Sequence, residues 1–579
     1  MIAISRRTPG IVVLAVALTA WAADASAQAS RLPIVQAMER GVTSVTDLGT
    51  LRVDARSANG DMARLALRAL GQLEQSVLIT DLLPALTHAL PEVRLEAAHA
   101  VAQAAVGFPA TPARGATLTV QSTQAALITR LGVETDSSVR AGLREAIARL
   151  PYRDAADVAR AETAILSQAA TPDLNDRLGT ARALEILVRR LSDVRPASET
   201  MIAALHDLAK TPSDAQEAAH DARVRRLAID ALAEAHDPDP SLIDIAHSDP
   251  DAQTRRLAIR AIAANGGHAE QIEYALTDPA PMVRLEALTS LGLHGGQSGC
   301  RVSVEATFDE ELLVALTAID QLAACGEIPE AMQILERSVA DDSDLDEPRG
   351  FHRATHALVA LAAARPADAS DAITRYAQKT AWQVRLAAAN AAIRTHDRTT
   401  LLALAEDRDD RVSNAARTAL GDTPKAPTPP PLPPISAADL RTYASPRAKI
   451  TIRDVGSFEI ALFTSEAPLT VLRFIALAET HYYDGTAVDA LVPNLTLRAG
   501  YRGVDADRYP RREVSGWPHV RGTLGIATPD TLDASFFLNL VDNPQFDHQY
   551  TVFAQVLNGI EIVDRLLDGD IIESIEILP

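Results

Sequence analysis

An all-α array followed by a mostly-β antiparallel barrel with two helices is the fold class this 579-residue sequence predicts, and three observations predict it. A helical phrase recurs from about residue 31 to 420, a proline-rich stretch follows it, and seven of the ten phenylalanines lie beyond residue 440. A chain of this length exceeds what one hydrophobic core organises, so two differently built parts are expected. The net charge of −21 excludes one function class at the outset. Nucleic-acid binding needs a basic footprint that releases counterions, and neither part contains a polybasic patch.

Residues 1–27 predict a cleaved export signal. Arg6 and Arg7 open it, Ile11 to Ala23 form a short apolar core, and Ala25-Ser26-Ala27 is a small-x-small cleavage site. That core is too short for a bilayer of ~30 Å. No later segment has 18 consecutive apolar residues, so no membrane span is expected after cleavage, and a periplasmic or extracellular location is predicted. Only Cys300 and Cys325 are available in such a compartment. A bridge between neighbouring repeats and two buried thiols both remain open readings. The fourteen histidines are scattered and no Cys/His cluster has zinc spacing, so no metal is predicted. The acidic run Asp342 to Glu347 lacks the glycine and terminal glutamate of a calcium loop and reads as a solvated loop.

Residues 31–420 carry the repeat. Val93-Arg94, Val139-Arg140, Val224-Arg225, Thr254-Arg255, Val283-Arg284 and Val384-Arg385 each open an apolar stripe at i, i+3, i+4 and i+7, several of them about 30 residues apart. Aspartate turns such as Asp249-Pro250-Asp251 precede the phrases, where Asp caps a helix and Pro suits its first turn. This recurrence resembles short bacterial HEAT repeats. The resemblance implies a solenoid whose repeats touch only their neighbours and whose surface holds an unidentified protein partner. Each Val-Arg arginine is expected to pair with the capping Asp of an adjacent repeat.

Seven prolines between Pro424 and Pro434 mark a linker over 421–436 that favours polyproline II. At ~3.1 Å per residue such a tract would hold the two parts roughly 35 Å apart.

Residues 437–579 form the last domain. Ala448 to Asp454 and Ser457 to Phe463 alternate as a hairpin, and Ala467-Pro468 opens a helix to about Thr480 with Val471, Phe474, Ile475 and Ala478 on one face. Short strands are predicted around 487–492, 495–498, 523–527, 536–540 and 551–556, then a closing helix over 560–567 and a last strand over 571–577.

Four stretches in this order resemble the cyclophilins: Ser457 to Phe463 with Ala467-Pro468, Tyr483-Asp484-Gly485 with Val492-Pro493, Ala534 to Leu538, and Thr551-Val552-Phe553 with Gly559 and Val563-Asp564. The resemblance implies an eight-stranded closed barrel and peptidyl-prolyl cis-trans isomerase activity on proline-containing proteins or peptides, without a cofactor. The family's motif runs YYDG-x-x-FHR-x-x-P. Its catalytic arginine falls on Ala490 and the preceding histidine on Asp489. The aromatic floor of the pocket falls on Leu495, a methionine on Thr496, the bracing glutamine on Arg498, a pocket phenylalanine on Phe537, and wall positions on Phe546 and Tyr550. The loop before Phe536 is shortened to Thr528–Asp533.

The amide bond preceding proline rotates over about 18–20 kcal/mol, and the family lowers that barrier with an apolar pocket and an arginine donor to the prolyl nitrogen. With Ala490 at the arginine position, Arg498 is either a relocated donor or the partner of Asp489. The predicted function is an exported isomerase-type folding helper of weak activity. The alternative is a non-catalytic protein-binding scaffold with a degenerate barrel.

Overall fold

The computed structural model describes residues 31–38, 45–111, 116–167, 172–266, 268–294, 296–341, 343–345, 347–423, 434–501, 512–526 and 534–578. The export signal, Pro424 to Pro433 of the linker, Asp342 and Asp346 of the acidic run, and the 528–533 loop lie outside the described residues.

Up to Leu420 the described chain is helix after helix. The recurring phrases sit in Pro91–Ala104, Ser137–Arg149, Ala215–Glu234, Ala252–Ala264, Pro281–His294 and Trp382–Thr395. Asp136 and Asp251 cap their helices through the backbone N–H three residues on, which satisfies donors that a helix start leaves orphaned. The helix carrying Val224 begins earlier than the phrase, capped by Asp214. Ala258, Ala287 and Ala388 are fully buried at the centres of the stripes, where a small side chain permits close helix approach.

The Val-Arg arginines form a ladder. Arg94 forks onto Glu134, Arg225 onto Asp249, Arg255 onto Asp278, Arg284 onto Asp309 and Arg385 onto Asp407. Arg140 does the same with Asp176. The Nη1 of each also donates to a carbonyl just upstream, for example Arg255 to Asp249 at 2.8 Å and Arg385 to Lys379 at 2.9 Å. One guanidinium therefore ties its own helix start to the next turn of the array, using the bidentate geometry that carboxylates favour. Cys300 and Cys325 are joined in a disulfide.

The second part is an eight-stranded antiparallel sheet: β1 (Arg447–Ile452), β2 (Gly456–Leu462), β3 (Val488–Val492), β4 (Thr496–Ala499), β5 (Thr523–Ile526), β6 (Phe536–Asn539), β7 (Val552–Asn558) and β8 (Ile572–Leu578), in the order β3-β4-β6-β5-β7-β2-β1-β8. The sheet curls until its edges meet at one end, where Ala487 bridges Ile571 and Val488 exchanges backbone bonds with Gly569 and Asp570. Closure is therefore partial, because β3 is short and bulged while β8 spends its length on β1. Helix Pro468–Glu479 buries Val471, Phe474, Ile475 and Ala478 inside the curl, with Phe474 among Tyr483, Phe536 and Phe553. The expected closing helix is a single turn, Ile560–Val563. Beyond it Leu566 and Leu567 diverge, one into the barrel core and the other against the helical array.

The barrel packs directly on the array instead of standing about 35 Å away. Leu469 and Leu472 join the core of its N-terminal half, and Leu567 joins that of its C-terminal half. Arg68 donates to the Glu466 carbonyl at 2.8 Å, and Gln383 to the Gly569 carbonyl at 3.2 Å. A linker's composition limits how far two parts can separate, and contact free energy decides whether they do.

Candidate functional site

Sheet register sets the site. Ala490 on β3 stands opposite Arg498 on β4, Arg498 opposite Phe537 on β6, and Phe537 opposite Gly525 on β5. Directly opposed residues share a sheet face, so these four form a row across the sheet. The neighbouring row, Leu497, Leu538 and Leu524, is fully buried in the core. The site therefore lies on the outer face, and Thr496, two residues before Arg498, shares it.

Gly525 lets the Phe537 ring lie flat over β5: a Cβ there would stand 2.4 Å from the ring's Cζ. Phe546, from the short turn Pro544–Phe546, and Tyr550, just ahead of β7, meet that ring edge-on at 5.8 Å each and lie 5.3 Å from one another. Such edge-to-face pairs suit aromatic quadrupoles. Leu495 is half-buried, and its carbonyl accepts from Leu540 N–H and Asn543 Nδ2, both at 3.0 Å. The structure thus gathers Phe537, Phe546 and Tyr550 into one cluster, with Thr496 and Arg498 on the same sheet face.

At the position of the family's arginine, the Ala490 methyl is half-buried. The register between β3 and β4 slips at Asp489, and a bulge of this kind re-aims a side chain. Asp489 Oδ2 accepts from Arg498 Nε at 3.0 Å and Nη2 at 2.5 Å. Arg498 also lies 5.2 Å from the Tyr501 ring centroid and stays 37 % exposed along its side chain.

His519 completes the cluster and was not anticipated from the sequence. Its ring stacks on Phe537 at 5.9 Å with an interplanar angle of 11°, and Phe546 and Tyr550 meet it edge-on. Asp547 Oδ1 accepts from the His519 backbone N–H at 2.6 Å and lies 3.1 Å from its Nδ1. Burial alone would raise the Asp547 pKa, but Arg182 at 2.8 Å and His519 together hold it well below the usual carboxylate range. His519 Nε2 is buried without a hydrogen-bond partner among the described residues. A lone histidine in a Trp-Pro-His stretch gave no signal of this role. Its aspartate follows Phe546 in the chain, but Arg182 comes from the distant array, and no local pattern links the three.

Among the described residues one trio, His206, Asp237 and Asp239, offers metal-ligand spacing. It lies in the array, and local contacts account for it: His206 bonds Asp237 at 2.8 Å, and Asp239 accepts from the Ser241 N–H at 2.7 Å.

Residues 447–577 match the family model described as cyclophilin type peptidyl-prolyl cis-trans isomerase/CLD. A peptidyl-prolyl cis-trans isomerase of Helicobacter pylori is 31% identical over 130 residues, 21% of this chain and 80% of that protein. One from Acinetobacter baylyi is 28% identical over 127 residues, 20% of this chain and 68% of that protein. Among solved structures, a Cryptosporidium parvum cyclophilin type peptidyl-prolyl cis-trans isomerase in the presence of the dipeptide Ala-Pro is similar, with 22% identity and a TM-score of 0.20 over 23% of this chain and 99% of that one.

Proposed function

Because its barrel makes this chain a member of the cyclophilin-type peptidyl-prolyl cis-trans isomerase family, we propose that it binds proline-containing segments of proteins outside the cytoplasm and isomerises them weakly. The observation that carries this reading is the gathering of Phe537, Phe546 and Tyr550 on the outer sheet face beside a guanidinium, Arg498. An apolar notch holds a proline ring, and a donor near the prolyl nitrogen weakens the amide resonance that sets the barrier of about 18–20 kcal/mol. Arg498 is the donor in this scheme, held in place by Asp489. With alanine at 490 the donor comes from one strand further along, and the expected turnover is low.

The N-terminal composition and the Cys300–Cys325 disulfide support export, since disulfides persist in oxidising compartments. The recurrence of the Val-Arg phrase and its ion-pair ladder support a HEAT-type solenoid that contacts partner proteins.

A proline-peptide isomerisation assay on the full chain tests the proposal. The parent is expected to exceed the uncatalysed rate slightly, Arg498→Ala to abolish that excess, and Ala490→Arg to raise it. Peptide binding with no turnover in any of the three would favour a non-catalytic scaffold.

A further inference from the structure

One carboxylate links the candidate proline site to the helical array. Asp547 follows Phe546 in the chain, and its two oxygens face different partners. Oδ1 accepts from the His519 backbone N–H at 2.6 Å and lies 3.1 Å from His519 Nδ1, while Arg182 Nη2 of the array lies 2.8 Å from Oδ2. Main-chain and ring contacts to a single oxygen fix both the backbone and the ring plane of His519. That ring stacks on Phe537 at an interplanar angle of 11°, with Phe546 and Tyr550 edge-on to it. Asp547 therefore sets the Phe537 wall through His519 and the Phe546 wall through the chain itself.

Arg182 is itself held. It sits in helix Leu174–Leu191 of the array and is 7 % exposed, with Glu145 of helix Ser137–Arg149 3.2 Å from its Nε and His548 Nε2 3.2 Å from its Nη2. Asp547 is buried as well, and burial favours the neutral form of a carboxyl group. Arg182 is the foremost of the groups that keep it ionised. A protonated carboxyl gives up acceptor capacity for a donor O–H, and a buried charge stripped of its partner is left uncompensated. Without this guanidinium the grip of Asp547 on His519 loosens.

We propose that Arg182 is a positioning residue for the candidate proline site: by holding Asp547 it fixes His519, which backs Phe537, so a side chain of the array completes a site carried by the barrel. The inference rests on the proline-site reading above and gives the array a part in it. Precision is what such a brace supplies, since a misplacement of about 1 Å can cost on the order of 100-fold in rate.

Arg182→Met, His519→Ala and the double variant, each in the full chain, are compared with the parent in two measurements. One is affinity for an Ala-Pro peptide; the other is hydrogen exchange of residues 517–522 against that of β1, which reports unfolding of the barrel. Arg349→Met is the control, because Arg349 also reaches from the array to a buried barrel carboxylate, 3.0 Å from Asp570, at another part of the interface. Arg182→Met is expected to exchange residues 517–522 at least ten-fold faster with β1 unchanged, and to bind the peptide about ten-fold more weakly. His519→Ala is expected to weaken binding by a similar factor, and the double variant to bind no more weakly than His519→Ala alone, because residues that act through one another are not additive. Unchanged exchange or unchanged affinity in Arg182→Met, additive losses in the double variant, faster exchange that spreads to β1, or an equal effect of Arg349→Met would overturn the proposal. Faster exchange confined to residues 517–522, with no peptide bound by the parent, would uphold the positioning of His519 and overturn the proline-site reading instead.

Discussion

Replacing Gly525 with alanine separates strand chemistry from tertiary packing, because the two demand opposite signs. In a strand interior, Gly→Ala ordinarily stabilises by about 0.5–1 kcal/mol through the unfolded chain's lost freedom. Here the new methyl would stand 2.4 Å from Phe537 Cζ, 2.7 Å from Cε1 and 3.0 Å from Cε2. Carbon atoms rest at about 3.5–4.0 Å, so the ring must retreat by about 1 Å. It has nowhere to go: Phe537 is buried and boxed by His519, Phe546 and Tyr550, all within 6 Å of its centroid. Overpacking of this sort costs about 1–3 kcal/mol, which leaves a net loss of about 0.5–2 kcal/mol once the backbone gain is subtracted. Urea denaturation of Gly525→Ala, Phe537→Leu and the double variant measures it. The cycle should return a coupling of about 1 kcal/mol, since the shorter leucine relieves the clash. A stabilised Gly525→Ala chain, or additive effects in the double variant, would refute the packing argument.

Three further outcomes are expected. Arg225 and Asp249 are both fully buried, so Arg225→Met strands a buried carboxylate and should cost about 3–5 kcal/mol by denaturation; a loss under about 1 kcal/mol would contradict the ladder's role. Burial and Arg149 push the His548 pKa down to about 3 against the pull of Glu145, while Glu145, despite its burial, is held well below the carboxylate range by Arg182 and His548. A histidine with a lowered pKa stabilises the docked fold above its free value of about 6.5 and loses that contribution as pH falls toward 3. Depressed carboxylates such as Glu145 and Asp547 lose theirs below about 4, whereas burial raises Glu185 and Glu513 to about 7 and gives them the opposite sign above that, so docking should weaken on acidification below about 4. Hydrogen exchange at residues 544–551 that slows as pH falls below about 4, after correction for intrinsic rates, would reverse that sign. Finally, Cys300→Ser with Cys325→Ser opens a loop of 25 residues and should cost about 3 kcal/mol in the chain-entropy account, read as a lower denaturation midpoint than that of the oxidised parent.

The strands, the helix at Pro468 and the phrases of the array were legible because each is a local matter: period-2 alternation, a 3.6-residue stripe, an aspartate cap. The arginine ladder was anticipated only in part: the arginines take a carboxylate of the neighbouring turn, such as Asp249 or Asp407, and not the helix-capping Asp251 or Asp409. Phe537, Phe546 and Tyr550 could be nominated by resemblance, and the fold shows them in mutual contact. The Asp489–Arg498 pair was one of two readings open to the sequence, and the structure shows it where the β3 register shifts. Two features were decided only in three dimensions. His519 enters the cluster through the meeting of β5, β6 and the Pro544 turn, which are separate in the chain. The docking of barrel on array, with Arg182 on Asp547, joins residues hundreds of positions apart. Composition and periodicity specify which faces are apolar and how a segment folds. Which face meets which is set by the net free energy of burial and charge pairing between distant segments, and that sum exists only once the whole chain is assembled.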